Sequence, residues 1–190
     1  VNREKNKAKE AIDLATGEYR PQKRADVAAV KSAGRSLAKL FDHDSEHGRY
    51  AWAVMGRTLA YAALLVGDAA DEVESFDEAM RLGYNWKKGP FELIDEIGTA
   101  DFVRRLEASG LPVAPILKIA NGKPFYQVVD GHREVLELDG HHAKLERPEG
   151  VIMLADIKLN AQPILKNGSA SLWDIGDGVV CFEFTSKMNS

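Results

Sequence analysis

The residues best suited to chemistry in this chain are acidic. Glu92 shares a helical face with both Asp95 and Glu96, at separations of three and four residues. Paired carboxylates perform acid/base work when burial drives their pKa values apart. The plainer alternative is a solvated face opposite Phe91 and Ile94, with one carboxylate placed favourably near a helix start. Lys87 and Lys88 immediately precede the same helix, so cations and a helix N-terminus meet where a phosphate could bind. Solvated surface lysines are the competing explanation. Two groups invite a metal: His141-His142 beside Asp139, and His43, Asp44 and His47. Adjacent histidines point in different directions in regular structure, so an exposed loop explains the first group better. Asp44 suits a helix cap. Gly176-Asp177-Gly178-Val179-Val180-Cys181 nearly matches a dinucleotide fingerprint. Its third small residue is a cysteine, and strand-like residues follow where a pyrophosphate site needs a helix N-terminus. A hairpin turn accounts for these glycines. Trp52, Tyr84, Trp86 and Phe91 read as core aromatics rather than a ligand cage. No Walker lysine motif, His-Glu-x-x-His zinc site or nucleophile elbow occurs.

Hydrophobic periodicity lays out the elements that must hold these groups. Asp13 to Gln22, with Gly17 and Pro21, reads as an irregular lead-in after a short polar helix. Val27, Val30, Leu37, Leu40 and Phe41 fall near helical spacing in a predicted helix over 23–41. Asp42-His43-Asp44-Ser45 supplies a loop and an N-cap. From Glu46 to Val66 the chain is apolar on nearly all sides. The uncharged stretch after Arg57 is far shorter than the ~20 residues that cross a bilayer, so a central core helix is expected. Gly67-Asp68 ends it. The next helix, from about Asp71 to Leu82, carries Val73, Phe76, Ala79, Met80 and Leu82 as its stripe, with Gly83 as a left-handed C-cap. Pro90 fits the first turn of a short helix burying Phe91, Leu93, Ile94 and Ile97. Helices over Thr99–Ala108 and Val113–Ala120 follow and close at Asn121-Gly122.

Beyond Gly122 the apolar period shortens from about 3.6 to about 2. Phe125–Val129 and Arg133–Leu138 flank Asp130-Gly131 as a hairpin. Val151 to Leu159 reads as a strand. Leu172–Ile175 and Val179–Phe184 form a further hairpin around Gly176-Asp177-Gly178. The fold class is therefore α+β: a mainly helical body followed by antiparallel β-hairpins.

The 190 residues are 45% hydrophobic, enough for a proper core in one or two domains. A net charge of −4 disfavours a general nucleic-acid binder. Residues 1–41 are net +5 and the remainder net −9; a solvated basic face explains this better than an anion-binding tail. The single cysteine, Cys181, forbids an internal disulfide and suits a reducing, cytoplasmic setting. The first residues, Val1-Asn2-Arg3-Glu4-Lys5, lack the apolar region of a signal peptide, and the first is not Met, so a piece of a longer chain is expected.

The run Phe76-Asp77-Glu78-Ala79-Met80 through Gly89-Pro90-Phe91-Glu92 to Asp95 and Gly98 resembles the Asp-x-Ala-Met…Gly-Pro-Phe…Asp…Gly signature of 3-hydroxyacyl-CoA dehydrogenases, in their C-terminal helical domain. Tyr50-Ala51-Trp52-Ala53-Val54, Tyr61-Ala62-Ala63 and Tyr84-Asn85-Trp86-Lys87-Lys88 resemble the second such domain of fusion enzymes in which an enoyl-CoA hydratase part follows. Phe125-Tyr126 and Gly131 are similar to the connecting hairpin, and Leu172 to Ser190 to the first hairpin of the hydratase (crotonase) domain. These matches cover about two-thirds of the chain. The resemblance implies a lead-in over 1–22, a dehydrogenase C-terminal-like domain over 23–121, a β-rich connector over 122–167, and the start of a truncated crotonase-like domain over 168–190. It also implies a parent that oxidises L-3-hydroxyacyl-CoA with NAD and hydrates enoyl-CoA in fatty-acid β-oxidation.

The family's Gly-x-Gly-x-x-Gly, its His-Phe-Phe and Gly-Phe-x-x-Asn-Arg segments, and the hydratase glutamates find no counterpart here. No catalytic, cofactor-binding or metal-binding residue carries over to any position. The expectation is a non-catalytic fragment that packs, shapes a substrate site or forms an interface. Its implied partners are the nucleotide-binding and crotonase domains of the same parent, acyl-CoA in that parent, and a second copy of the chain, with neither nucleic acid nor membrane. The alternatives are a standalone interaction or scaffold module and, less well founded, a hydrolase built on Asp139, His141 and His142 that lacks a recognisable nucleophile.

Overall fold

A computed structural model describes residues 9–22 and 25–186. It opens on two short antiparallel strands, β1 (Glu10–Ile12) and β2 (Tyr19–Pro21), with Ile12 opposite Tyr19. The expected irregular lead-in is thus a hairpin, turned by Gly17 at φ 75°. The polar helix expected before it falls on Glu10–Ile12, which is strand, and on positions 1–8, outside the described residues. The single helix predicted over 23–41 is two helices, α1 (Ala28–Ala33) and α2 (Leu37–Asp42). Gly34 at φ 60° turns the chain between them, and the Ser36 hydroxyl caps α2 by accepting from the Lys39 N–H. Positions 23 and 24 lie outside the described residues.

The Glu46–Val66 region is helical almost throughout: α3 (Glu46–Ala51), one π-helical stretch (Trp52–Gly56) and α4 (Arg57–Leu64). The wider turn accommodates the Trp52 ring, which lies so close over Gly56 that a Cβ there would stand 2.6 Å from it. This helix is not buried all round. Leu59, Ala60 and Ala63 face the core, whereas Tyr50, Val54 and Tyr61 face outward. Burial therefore follows the helical period, not the apolar composition.

At the start of α3 the Ser45 hydroxyl accepts from the Gly48 N–H. Replacing it, Ser45→Ala, removes that cap and is expected to lower stability by about 1 kcal/mol. The corresponding fall in melting temperature is about 2–4 °C. A thermal melt checks this directly.

α5 (Val73–Tyr84) runs through Gly83, and Asn85 rather than Gly83 takes the left-handed C-cap at φ 56°. Asparagine tolerates that region better than most residues, so the chain gains two helical positions. Leu82, placed on the stripe, is 85% exposed. α6 (Pro90–Ile97) begins with Pro90 in its first turn, as the sequence indicates. α7 (Thr99–Ala108) has the expected bounds, and α8 (Pro115–Ala120) ends at Asn121 and Gly122, both at positive φ.

β3 (Tyr126–Val129), β4 (His132–Leu136) and β5 (His142–Lys144) form an antiparallel sheet in that order. Asp130 and Gly131, both at positive φ, make its two-residue turn. The strand expected over Val151–Leu159 is instead α9 (Leu154–Asn160). Leu154 and Ile157 share its inner side at helical spacing, and Pro163 ends it. The last sheet joins β6 (Leu165–Lys166), β7 (Ala170–Gly176) and β8 (Val179–Phe184). Its Gly176–Gly178 turn links two strands.

One hydrophobic core unites the helices with the first sheet. Phe91 is enclosed and meets Phe76 and Phe125 edge-on, with ring centres 5.9 and 4.8 Å apart. Trp52 meets Phe41 and Phe102 in the same manner, and its indole N–H donates to Ser109 Oγ. Phe125 and Leu136, from beyond residue 122, are members of this same core. The α+β class expected from the sequence is what the chain adopts.

Candidate functional site

The most heavily connected polar groups lie where α5, the start of α6 and the start of β3 converge. Asp77 of α5 is wholly buried. Its Oδ1 accepts from the Phe91 N–H at 2.7 Å, and its Oδ2 accepts from the Glu92 N–H at 3.2 Å and the Tyr126 hydroxyl at 2.8 Å. Burial pushes this carboxyl up to about 6, against the opposing pull of the Phe91 N–H and the Tyr126 hydroxyl. Glu92 reaches back to accept from the Gly89 N–H at 2.9 Å, and it pairs with Arg81 at 2.7 Å and Arg133 at 3.6 Å. Asp95 accepts from the Phe125 and Tyr126 N–H groups at 2.7 and 2.8 Å, and burial raises its pKa. Tyr126, its hydroxyl held by Asp77, has a phenol pKa raised by burial and by that carboxylate. The Arg133 guanidinium lies over its ring, 5.7 Å from the centre.

These carboxylates are not a solvated face, and Glu92 is the helix-start carboxylate that the plainer reading expects. Each is spent on backbone N–H groups that otherwise lack partners, at a helix start and at a strand start. Glu96, the third member of the acidic group, pairs with Lys88 at 2.7 Å. Lys88 is therefore engaged, and the N-terminus of α6 already holds two of the protein's own carboxylates where a bound phosphate would sit. A groove of about 420 Å³ runs beside the network, lined by Lys88, Glu92, Asp95, Glu96, Tyr126 and Arg133 among others. Its polar lining is internally paired: Lys88 with Glu96, Glu92 with Arg133, and Asp95 with the Phe125 and Tyr126 N–H groups.

Periodicity missed Asp77, although a signal was present. Val73, Phe76 and Met80 define the inward face of α5, and Asp77 stands on it one residue after Phe76. An acidic residue at a core position requires donors. Gly89 is its structural complement, because a Cβ there would overlap Asp77 itself.

The other candidates are dispersed. His141 lies 3.4 Å from Asp139 in an exposed turn, whereas His142 Nε2 bonds the Pro124 carbonyl at 2.8 Å. His43 Nδ1 meets Ser45 Oγ, His47 is exposed, and Asp44 pairs with Arg49 instead of capping the helix. Among the described residues no three His, Cys, Asp or Glu side chains gather as a metal site. Gly176-Asp177-Gly178 feeds β8, so it does not fit a dinucleotide pyrophosphate. Of the four aromatics, Phe91 is core, Trp52 packs on the core, Trp86 is half-buried and Tyr84 is exposed. No described helix is long and apolar enough to cross a membrane.

Comparison with known proteins places this arrangement. Residues 48–114, which include α6 and its cap, match the family model described as 3-hydroxyacyl-CoA dehydrogenase, C-terminal domain. A Bacillus subtilis (strain 168) protein provisionally named a 3-hydroxyacyl-CoA dehydrogenase is 32% identical over 94% of this chain and 23% of its own length. Two proteins provisionally named fatty acid oxidation complex trifunctional enzymes are also similar. The one from Rickettsia felis is 27% identical over 96% of this chain and 22% of its own length. The one from Rickettsia prowazekii is 26% identical over 97% of this chain and 22% of its own length. The chain thus spans less than a quarter of the curated relatives it matches. No solved structure matches it. Gly89-Pro90-Phe91-Glu92 and the Asp77 that caps it lie within the stretch that is similar to the 3-hydroxyacyl-CoA dehydrogenase C-terminal domain.

Proposed function

We propose that this chain is a segment of a longer NAD-dependent L-3-hydroxyacyl-CoA dehydrogenase of fatty-acid β-oxidation, in which it supplies no catalytic group. Its role is to pack against a nucleotide-binding domain, to shape the acyl-CoA site or to form a subunit interface. The observation that carries this reading is coverage: the relatives match nearly all of this chain with under a quarter of their own length. The carboxylate network supports it too, since Asp77, Glu92 and Asp95 are committed to holding elements together. Such a segment affects rate through geometry, because a small displacement of bound substrate forfeits much of the advantage of orientation.

The same proposal divides the chain into a lead-in over 1–22, the dehydrogenase-like domain over 23–121, a connector over 122–167, and the beginning of a crotonase-like hydratase over 168–190. The trifunctional name carried by the Rickettsia relatives is compatible with a hydratase in the same chain. NAD would be held by the nucleotide-binding domain, because the described residues here do not fit it. A cytoplasmic enzyme that forms homo-oligomers completes the proposal.

The purified 190-residue chain, mixed with NAD and a 3-hydroxyacyl-CoA and, separately, with an enoyl-CoA, tests the non-catalytic role. A helical circular-dichroism spectrum without NADH formation or enoyl-CoA hydration is the expected outcome. Turnover comparable with that of a full-length dehydrogenase, in a clean preparation, would overturn it. Sequencing the reading frame on both sides tests the parent separately: nucleotide-binding and hydratase motifs are expected there, and stop codons flanking this stretch would refute it.

A further inference from the structure

The main core ends with Leu136, and neither its members nor the half-buried residues packed on it include any from β6–β8. The large buried side chain of that terminal sheet is Trp173, and its indole N–H has polar partners. Its indole N–H donates to Ser171 Oγ at 2.8 Å and Glu183 Oε2 at 3.2 Å. The other Glu183 oxygen pairs with the Lys158 ammonium of α9, which also stands 5.3 Å from the centre of the Trp173 ring. α9 is tied to the helical body in turn. The Arg147 guanidinium forks onto both Asp156 oxygens, at 2.8 and 3.2 Å, and reaches Glu74 of α5 at 2.8 Å. α9 itself buries no residue fully. Charge pairs therefore link the terminal sheet to α9 and α9 to the helical body, and no residue of the sheet belongs to the main core.

We propose that Lys158, Glu183 and Trp173 form a releasable electrostatic latch that sets the position of the β6–β8 sheet relative to the helical body. When the latch opens, the sheet swings as a unit about residues 161–163, the irregular stretch between α9 and the sheet. Neither body unfolds, because the sheet keeps its strand pairing and the helical body keeps its core. Lys158 is the pivotal group: from α9 it meets both Glu183 and the Trp173 face. Such a joint weakens as salt rises, whereas an apolar contact does not.

Distances between two nitroxide labels test the latch. Cys181→Ser removes the native thiol, and labels are attached through Val180→Cys on β8 and Glu107→Cys on α7, both exposed positions. In low salt a single narrow distance distribution is expected. Raising sodium chloride to about 1 M, where the Debye length is about 3 Å, should broaden it. The fraction outside the main peak should rise about fivefold, the size expected for losing such pairs. Lys158→Met should broaden the distribution in low salt, and Lys158→Arg, which keeps the cation, should leave it narrow. Circular dichroism must stay unchanged throughout; if Lys158→Met itself unfolds, the salt series on the labelled protein with Lys158 intact decides alone. A distribution that stays narrow in 1 M salt overturns the proposal.

Discussion

Gly89→Ala is expected to destabilise this protein by about 3 kcal/mol or more, lowering its melting temperature by about 6–12 °C. The backbone at Gly89 is unremarkable for an L-residue, at φ −77° and ψ 176°, so conformational strain is not the reason. Space is. A Cβ at this position would overlap the Asp77 Cα, Cβ and Oδ1, and backbone atoms cannot step aside as the tip of a flexible side chain can. α6 would have to withdraw from α5. That movement lengthens the bonds from the Phe91 and Glu92 N–H groups to Asp77 and disturbs the packing of Phe91 at the centre of the core. Gly83→Ala is the matched control, because Gly83 sits inside α5 with nothing near its missing Cβ. It should stabilise by about 0.5–1 kcal/mol. Thermal and urea unfolding of the two variants, side by side, should therefore move in opposite directions.

Asp77→Ala is expected to lose about 3–4 kcal/mol, since two backbone N–H groups and a phenol would be left without their acceptor in a buried setting. Its dependence on pH is the more telling property. The carboxyl has a folded-state pKa of about 6, above the unfolded value of about 4. The folded state thus binds the proton more tightly. The contribution of this group is fully present below about pH 4 and is lost as pH rises through about 6, by up to about 3 kcal/mol. Asp77→Asn, with one acceptor oxygen retained, should be milder than alanine and should flatten the slope of unfolding free energy between pH 4 and 7. Asp95, also raised by burial, accounts for any remainder of the same sign. Denaturation at closely spaced pH values measures the slope; an undiminished slope in Asp77→Asn would show that the proton resides elsewhere.

Local signals made part of this architecture legible in the sequence. Pro90 after Gly89 marks a helix start through backbone chemistry alone, and Asp130-Gly131 marks a two-residue turn in the same way. Thr99–Ala108 was bounded by glycine at one end and Ser109-Gly110 at the other. What escaped was decided at a distance. Val151 to Leu159 looks β-like along the chain, yet Leu154–Asn160 is a helix that lies against β4 and is tied through Asp156 to Arg147, which also reaches Glu74 of α5. The π-helical stretch exists because Trp52 must reach Phe41, Phe102 and Ser109, none of them near it in sequence. At the candidate site, Glu92 was legible as a helix-start carboxylate, whereas Asp95 was not legible as a staple, because its donors come from the backbone, which every residue shares. Asp77 was hidden among apolar neighbours for the opposite reason: a rule that counts hydrophobic residues passes over the one polar residue that the core must satisfy.

The kinetics of Asp77→Asn in the longer dehydrogenase proposed above bear most directly on whether this network is structural or catalytic. The structural account predicts that NAD-dependent oxidation, assayed well below the melting temperature, keeps its kcat within about threefold while the melting temperature falls. A loss of kcat of about 100-fold or more with an unchanged melting temperature, the size of effect a general acid or base supplies, would contradict it.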